Sequence, residues 1–232
     1  MLQRVRRGLQ HYWPLDEASG NAIDALYGPD GPIHLTDTNT VTAAAGPSAN
    51  LPAARQFTNA SAEKFTVATA RSLNMGRRAR GFTAAIWAYP DSVLATHGLF
   101  GKDSGGTDRN WRVIQTLTPQ WQLLFYDGTT LVGGATGGTP AAGTWSHVVV
   151  VCDHVQAYLY INGAFVLKDA HDTANDFSNG VGAFDLGNDN VTTLREWDGR
   201  LAHAAIWHRA LTPVEIRWLY NNGQGRDLRR GV

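Results

Sequence analysis

Residues 145–152, WSHVVVVC, form an almost unbroken apolar run. The run is too short for a buried helix and too continuous for a half-exposed strand, so it predicts a strand covered on both faces. Asp153-His154-Val155 reads as a turn. Residues 156–161 then alternate, with Tyr158 and Tyr160 on one face and Ala157, Leu159 and Ile161 on the other. Asn162-Gly163 follows, a strong two-residue hairpin signal because both residues tolerate positive φ. Residues 164–167 return as the next strand, so the whole stretch predicts a three-stranded meander.

Comparable segments recur at residues 9–15, 81–89, 99–102, 111–115, 121–126, 184–186 and 201–207. Pro14 places the first of these at a sheet edge, because it has no N–H to donate. In GFTAAIWAY (81–89), Phe82 and Ile86 face opposite to Trp87 and Tyr89. Many short strands separated by Gly, Pro and Asp turns predict an all-β sandwich or barrel. The Gly-rich GGATGGTPAAG (133–143) reads as a mobile loop, and no fixed-period repeat divides the chain.

One helix is well marked, in LTPVEIRWLYNNG (211–223). Thr212 suits the N-cap, Pro213 the first helical position and Glu215 the reciprocal capping-box position. Leu211 and Ile216 are spaced as a hydrophobic staple, and Gly223 is a C-terminal stop. Ile216, Leu219 and Tyr220 are expected to pin this short helix to the sheets.

Composition narrows the picture. An apolar fraction of 43% with eight Trp supports a sizeable core, and a formal net charge of zero implies no bulk attraction to nucleic acid or membrane. Cys152 is the only cysteine, so no internal disulfide forms, and a small buried hydrophobe is its expected role. No apolar run reaches the ~18 residues of a membrane span. The opening MLQRVRRGLQ lacks the apolar core of a secretory signal, so synthesis in the cytoplasm is expected.

Five motifs in order resemble one family. They are Trp13-Pro14-Leu15-Asp16-Glu17-Ala18-Ser19-Gly20 with Asp24; Phe82-Thr83 through Trp87 and Pro90; Gly101-Lys102; Trp145, His147 and Val148 followed by Leu159, Tyr160, Asn162 and Gly163; and Arg209-Ala210-Leu211-Thr212 with Glu215 and Ile216. Their set resembles the concanavalin A-like lectin/glucanase jelly roll, in its laminin-G-like (LamG-like) branch. The resemblance implies a two-sheet antiparallel jelly-roll sandwich over residues 11–223, with one short C-terminal helix. A basic arm (1–10) precedes it and a basic tail (224–232) follows. Because the first and last strands of this family are neighbours, both tails should leave from the same pole.

The resemblance also implies candidate sites. Relatives hold calcium near the opening acidic segment, so Asp16, Glu17 and Asp24 are candidate ligands, with hard oxygens suited to that ion. Against this, the family's last strand carries an Asp that helps hold the metal, where this chain reads Gly199-Arg200-Leu201-Ala202-His203. Glycosidases of the broad fold carry Glu-x-Asp-x-x-Glu in one strand; here four glutamates are scattered and no such motif exists, so no catalytic residue is expected. Trp13, Trp87 and Trp145 match core positions. Trp111, Trp121, Tyr126 and Trp197, with Tyr27 in a rim loop, are candidates to stack on a sugar. His147 matches a structural position and is expected to be a satisfied, partly buried imidazole.

The arginines are the most suggestive surface feature. Arg4, Arg6, Arg7, Arg226, Arg229 and Arg230 flank the fold and are candidate assembly residues, since guanidinium forks pair with carboxylates. Arg71, Arg77, Arg78 and Arg80 form a further cluster. The expected function is a non-catalytic jelly-roll module on a bacteriophage virion surface, a decoration or fibre protein serving assembly, host-glycan adhesion or both. Its expected partners are an acidic capsid or other virion protein, a second copy of itself, and glycan. The alternatives are a stand-alone carbohydrate-binding lectin-like module of a bacterial extracellular system, and a glycoside hydrolase.

Overall fold

The computed structural model describes residues 1–26, 31–68, 70–74, 81–153, 155–170, 180–189, 191 and 195–229. A short helix, α1 (Leu2–Arg6), leads into β1 (Leu9–Trp13), β2 (Thr36–Thr38), β3 (Thr42–Ser48), β4 (Leu51–Phe57) and β5 (Lys64–Val67). Next come β6 (Phe82–Pro90), β7 (His97–Asp103), β8 (Arg109–Gln115), β9 (Trp121–Gly128) and β10 (Thr130–Gly137). The meander follows as β11 (Ser146–Cys152), β12 (Gln156–Ile161) and β13 (Ala164–Ala170), then β14 (Phe184–Leu186), β15 (Gly199–Trp207) and α2 (Pro213–Tyr220).

These strands form two antiparallel sheets. The eight-stranded sheet runs β13-β12-β11-β6-β15-β4-β3, with β1 also pairing along β15; the seven-stranded sheet runs β10-β9-β8-β7-β14-β5-β2. Between them lies a core to which Ile86, Val148, Val150 and Leu159 contribute from one sheet and Trp111, Val113, Leu123 and Phe125 from the other. The alternate residues Val149, Val151 and Tyr160 point outward, under Val5 of α1, Ile216 and Leu219 of α2, and Leu228. That second layer explains the unbroken valine run: β11 is covered on both faces.

At His203, β15 changes partner on one side. Residues 199–201 pair with β4, and residues 204–207 pair with β1. The register against β6 slips between Ala202 and Ala205, and His203 adopts φ 52°, a left-handed conformation that few non-glycine residues accept. Its backbone N–H donates to Pro14 O at 3.1 Å, so β1 ends just before the proline.

Two regions depart from the sequence expectation. Residues 133–137, the first part of the stretch read as a loop, belong to β10, because Gly134 lets the backbone close on β9: a Cβ there would lie 2.4 Å from Leu123 O; residues 138–143 lie outside any strand. Strands β2 to β5 lie where no strand was expected. Much of that segment is alanine and polar residues, which carry weak β signal.

Residues 2–10 and 224–229, the described parts of the arm and the tail, pack against the sheets. Val5 and Leu228 are buried, Trp207 Nε1 donates to Val5 O at 2.8 Å, and Arg6 Nε donates to Leu228 O at 2.7 Å. Both ends do meet at one pole, as the pairing of β1 with β15 requires.

Candidate functional site

Between the β12–β13 turn and α2 lies an open cleft of about 360 Å³. Its walls are Tyr160, Asn162, Phe165, Arg217, Tyr220 and Asn222. Asn162 and Gly163 have φ of 52° and 75°, the conformation that makes this a tight hairpin. Gly163 is needed twice over, since a Cβ there would also lie 3.0 Å from the Tyr220 ring. Asn162 Oδ1 accepts the His147 N–H at 2.9 Å, which ties the turn to β11.

The aromatic floor is held from below. Tyr220 lies over Trp87 (5.8 Å between centroids, 25°) and over His147 (6.3 Å, 17°). Tyr160 meets Phe165 edge-on at 5.7 Å, while Phe165, on the edge strand β13, is 54% exposed. Burial, then the nearby His203, pushes the His147 imidazole down to about 3, so it is neutral at ordinary pH. Burial raises the Tyr160 phenol, which stays protonated. Arg217 is therefore the only charged side chain among the described lining residues.

Helix α2 presents Arg217 and Tyr220 because its first turn is locked. Thr212 Oγ1 accepts from Glu215 N at 3.4 Å, and Thr212 N donates to Glu215 Oε2 at 2.8 Å, completing the capping box. Arg209 adds two bonds to the same carboxylate, at 2.9 and 2.8 Å. Burial alone would raise the Glu215 carboxyl, but the Arg209 and Thr212 hydrogen bonds outweigh it and hold the group below its usual range. The helix ends at Asn221 and Asn222, both left-handed, before Gly223 is reached.

A second, shallower groove of about 560 Å³ runs between β9, β10 and the far end of β13. No aromatic side chain is among its described lining residues.

The expected stacking residues prove to be structural. Trp111, Trp121 and Trp197 are fully buried: Trp111 Nε1 donates to Leu73 O at 3.0 Å, and Trp121 stacks on Trp197 at 6.3 Å. Trp111 and Trp121 occupy the inward phase of β8 and β9, and Trp197, in the segment before β15, packs into the same core, so no ligand reaches them. Tyr126 is also buried, with the Arg109 guanidinium 3.5 Å above its ring. Tyr27 lies outside the described residues. His147 is fully enclosed rather than partly buried, and its Nδ1 makes no hydrogen bond with any described residue. Cys152 is the buried thiol expected, raised by burial and donating to Asp153 O.

The acidic segment does not fit calcium. Asp24 is buried and spent on His11 Nδ1 (2.7 Å) and the backbone N–H groups of Tyr12, Leu26 and Ile33. Glu17 and Asp37 instead flank the Arg55 guanidinium, at 3.7 and 3.6 Å, and Gly20 O and Val41 O accept from the same group. Asp16 pairs with Arg229 at 2.6 Å. A protein cation thus stands among these oxygens, and among the described residues no three His, Cys, Asp or Glu gather to hold a metal ion.

Of the terminal arginines, several are engaged internally. Arg229 also meets Asp227 at 2.8 Å, Arg226 donates to Trp218 O at 2.9 Å, and Arg4 approaches Glu215 at 3.5 Å. Arg4 and Arg7 remain exposed, while Arg230 lies outside the described residues, as do Arg77, Arg78 and Arg80.

A family profile described as the concanavalin A-like lectin/glucanases superfamily matches residues 59–217, more than half of the chain. The chain belongs to that superfamily. No curated protein matches it in sequence. Among solved structures, this concanavalin A-like chain is similar to the binding domain of Paraclostridial Mosquitocidal Protein 1, with a TM-score of 0.71 and 16% identity; the match covers 94% of this chain and 52% of the other. It is similar to domain 4 of a GH43 extracellular arabinanase from Geobacillus stearothermophilus, solved with arabinotriose (TM-score 0.60, 19% identity, 90% and 96% covered). It is also similar to the sialidase of Trypanosoma rangeli (TM-score 0.64, 16% identity, 91% and 32% covered). The chain thus spans about half of the first of these proteins and about a third of the sialidase. At such identities the shared property is the fold.

In the sequence of this concanavalin A-like chain the Asn162-Gly163 turn and α2 read as scaffold, and Phe165, Arg217 and Asn222 belong to no site motif. The missed signal is an aromatic on an edge strand: Phe165 directly follows the turn, where no next strand covers it.

Proposed function

We propose that this chain is a non-catalytic glycan-binding module and that the cleft between the β12–β13 turn and α2 is its binding face. The observation that carries this is the convergence, at one open cleft, of the exposed Phe165 ring and the half-buried Tyr220 ring, with buried Tyr160 packed edge-on against Phe165, and of two exposed carboxamides, Asn162 and Asn222. An apolar platform with a few polar groups at its rim suits a sugar, whose ring has one apolar face and a circumference of hydroxyls. Among the described lining residues there is no Asp or Glu, whereas two-carboxylate glycoside cleavage needs a pair roughly 5–10 Å apart. The arabinotriose bound to the arabinanase domain agrees with this reading.

A glycan array, followed by calorimetry on each positive, tests the proposal. Wild-type protein should bind at least one glycan without cleaving it, and Phe165→Ala should abolish that binding. Binding to no glycan, or release of reducing ends during incubation, overturns it.

The proposed setting is the surface of a bacteriophage particle, as a decoration or fibre component. The exposed Arg4 and Arg7 at the joined chain ends are the support, since they offer cations to an acidic virion surface. Mass spectrometry of purified particles should detect the chain, and its absence from them would leave the extracellular lectin-like alternative.

A further inference from the structure

We infer that the sugar taken by this cleft carries a carboxylate, as a uronic or sialic acid unit of an acidic glycan does, and that Arg217 binds it. This rests on the glycan-binding reading. Arg217 is exposed at the cleft wall on α2, and no described residue pairs with its guanidinium. The contrast with other arginines is sharp. Arg55 is held by Glu17 and Asp37, Arg109 by Asp103, Arg112 by Asp189 and Arg209 by Glu215. The only side-chain charge among the described lining residues is thus left available, beside rings that would hold a sugar face.

The chemistry of that one group selects the ligand. A guanidinium is planar and presents paired N–H donors, which match the two oxygens of a carboxylate. A single cation suits a monoanion, and the described lining holds no second Lys or Arg for a dianion such as a phosphate ester. The chain's formal net charge of zero gives no general attraction to polyanions, so selection must be local. Asn162 spends its Oδ1 on His147 N, which leaves its amino group as a donor to sugar hydroxyls or to the same carboxylate. Phe165 and Tyr220 supply apolar surface to the ring that bears the acid.

The test compares acidic oligosaccharides with their methyl esters, which keep the sugar and remove the charge. Full-length protein would be titrated with galacturonic, glucuronic and sialic acid oligosaccharides, each beside its ester, at low and at high salt. At least one acid should bind about tenfold more tightly than its ester, the size of a charge-assisted hydrogen bond in an open site. High salt should narrow the gap. Arg217→Gln should make acid and ester bind alike, and unchanged thermal unfolding would show that the exposed substitution leaves the fold intact. Equal binding of acid and ester by wild type, or an Arg217→Gln variant that keeps the preference, overturns the inference. Binding to neutral glycans alone, abolished by Phe165→Ala, sinks this inference and spares the glycan-binding reading. Failure to bind any glycan sinks both.

Discussion

Arg209 and Glu215 meet through two N–H···O contacts, at 2.9 and 2.8 Å, and that pair joins three parts of the chain. Glu215 is the capping residue of α2, and Arg209 follows the end of β15. The same guanidinium donates to Arg7 O at 2.5 Å, Arg4 O at 2.9 Å and Val5 O at 3.4 Å, closing the C-terminal end of α1. One side chain therefore caps one helix, anchors the start of the other and holds the N-terminus against the sheet.

Arg209→Ala should cost about 2–4 kcal/mol, because it leaves a buried carboxylate without its cation. It should also free α1, so trypsin should cut after Arg4, Arg6 or Arg7 under conditions in which wild type is intact. Urea unfolding and timed proteolysis check both. A stability within experimental error of wild type would show that the capping box alone holds this corner.

Phe165→Ala and Trp111→Ala should separate surface from core. Phe165 is half exposed, so its loss should change stability by less than about 1 kcal/mol while removing the platform of the cleft. Trp111 packs against Phe82 and Phe100 at 5.0 and 5.3 Å, and truncating it should cost about 3–5 kcal/mol. Parallel melts and glycan titrations read the two effects. A Trp111→Ala variant that is stable but blind to glycan would return the tryptophan to the binding face.

Acid should destabilise the protein through His147. Its folded value is depressed to about 3 from 6.5, so below pH 6.5 the unfolded chain takes up a proton that the folded chain refuses. The stabilising contribution is whole above pH 6.5 and falls by up to about 1.4 kcal/mol per unit as pH drops towards 3. His147→Gln should flatten that slope between pH 6 and 4 in urea melts at stepped pH. An unchanged slope would assign it to other groups.

Chelators should leave the melting temperature unchanged, because Arg55 supplies the positive charge among the oxygens of Glu17, Asp37, Gly20 and Val41. Arg55→Met should cost about 3–5 kcal/mol, since two part-buried carboxylates lose their counter-ion. Scanning calorimetry with and without a calcium chelator is the check. A lower melting temperature in chelator would contradict the arrangement at Arg55.

Much of this protein was legible from short-range signals. The meander, the Asn162-Gly163 turn and the capped α2 follow from residues within a few positions of each other, and the ordered motifs of the family located the sandwich. The sites were not legible in the same way. Trp111, Trp121 and Trp197 carry the side chains of sugar platforms, yet strand phase buries the first two and packing on Trp121 buries Trp197. Strands β2 to β5 escaped notice because alanine-rich segments become strands only when a neighbouring strand supplies their hydrogen bonds.

The sequence by itself determined where the chain turns, where α2 starts and that the domain is a layered β fold, since backbone preference and alternation are local. Only the tertiary structure decided which aromatics meet water, that Arg55 lies among the acidic oxygens, and that Phe165 and Arg217 face one cleft. Those relations join residues far apart in the chain, and they exist only once packing has set the distances between strands and helix.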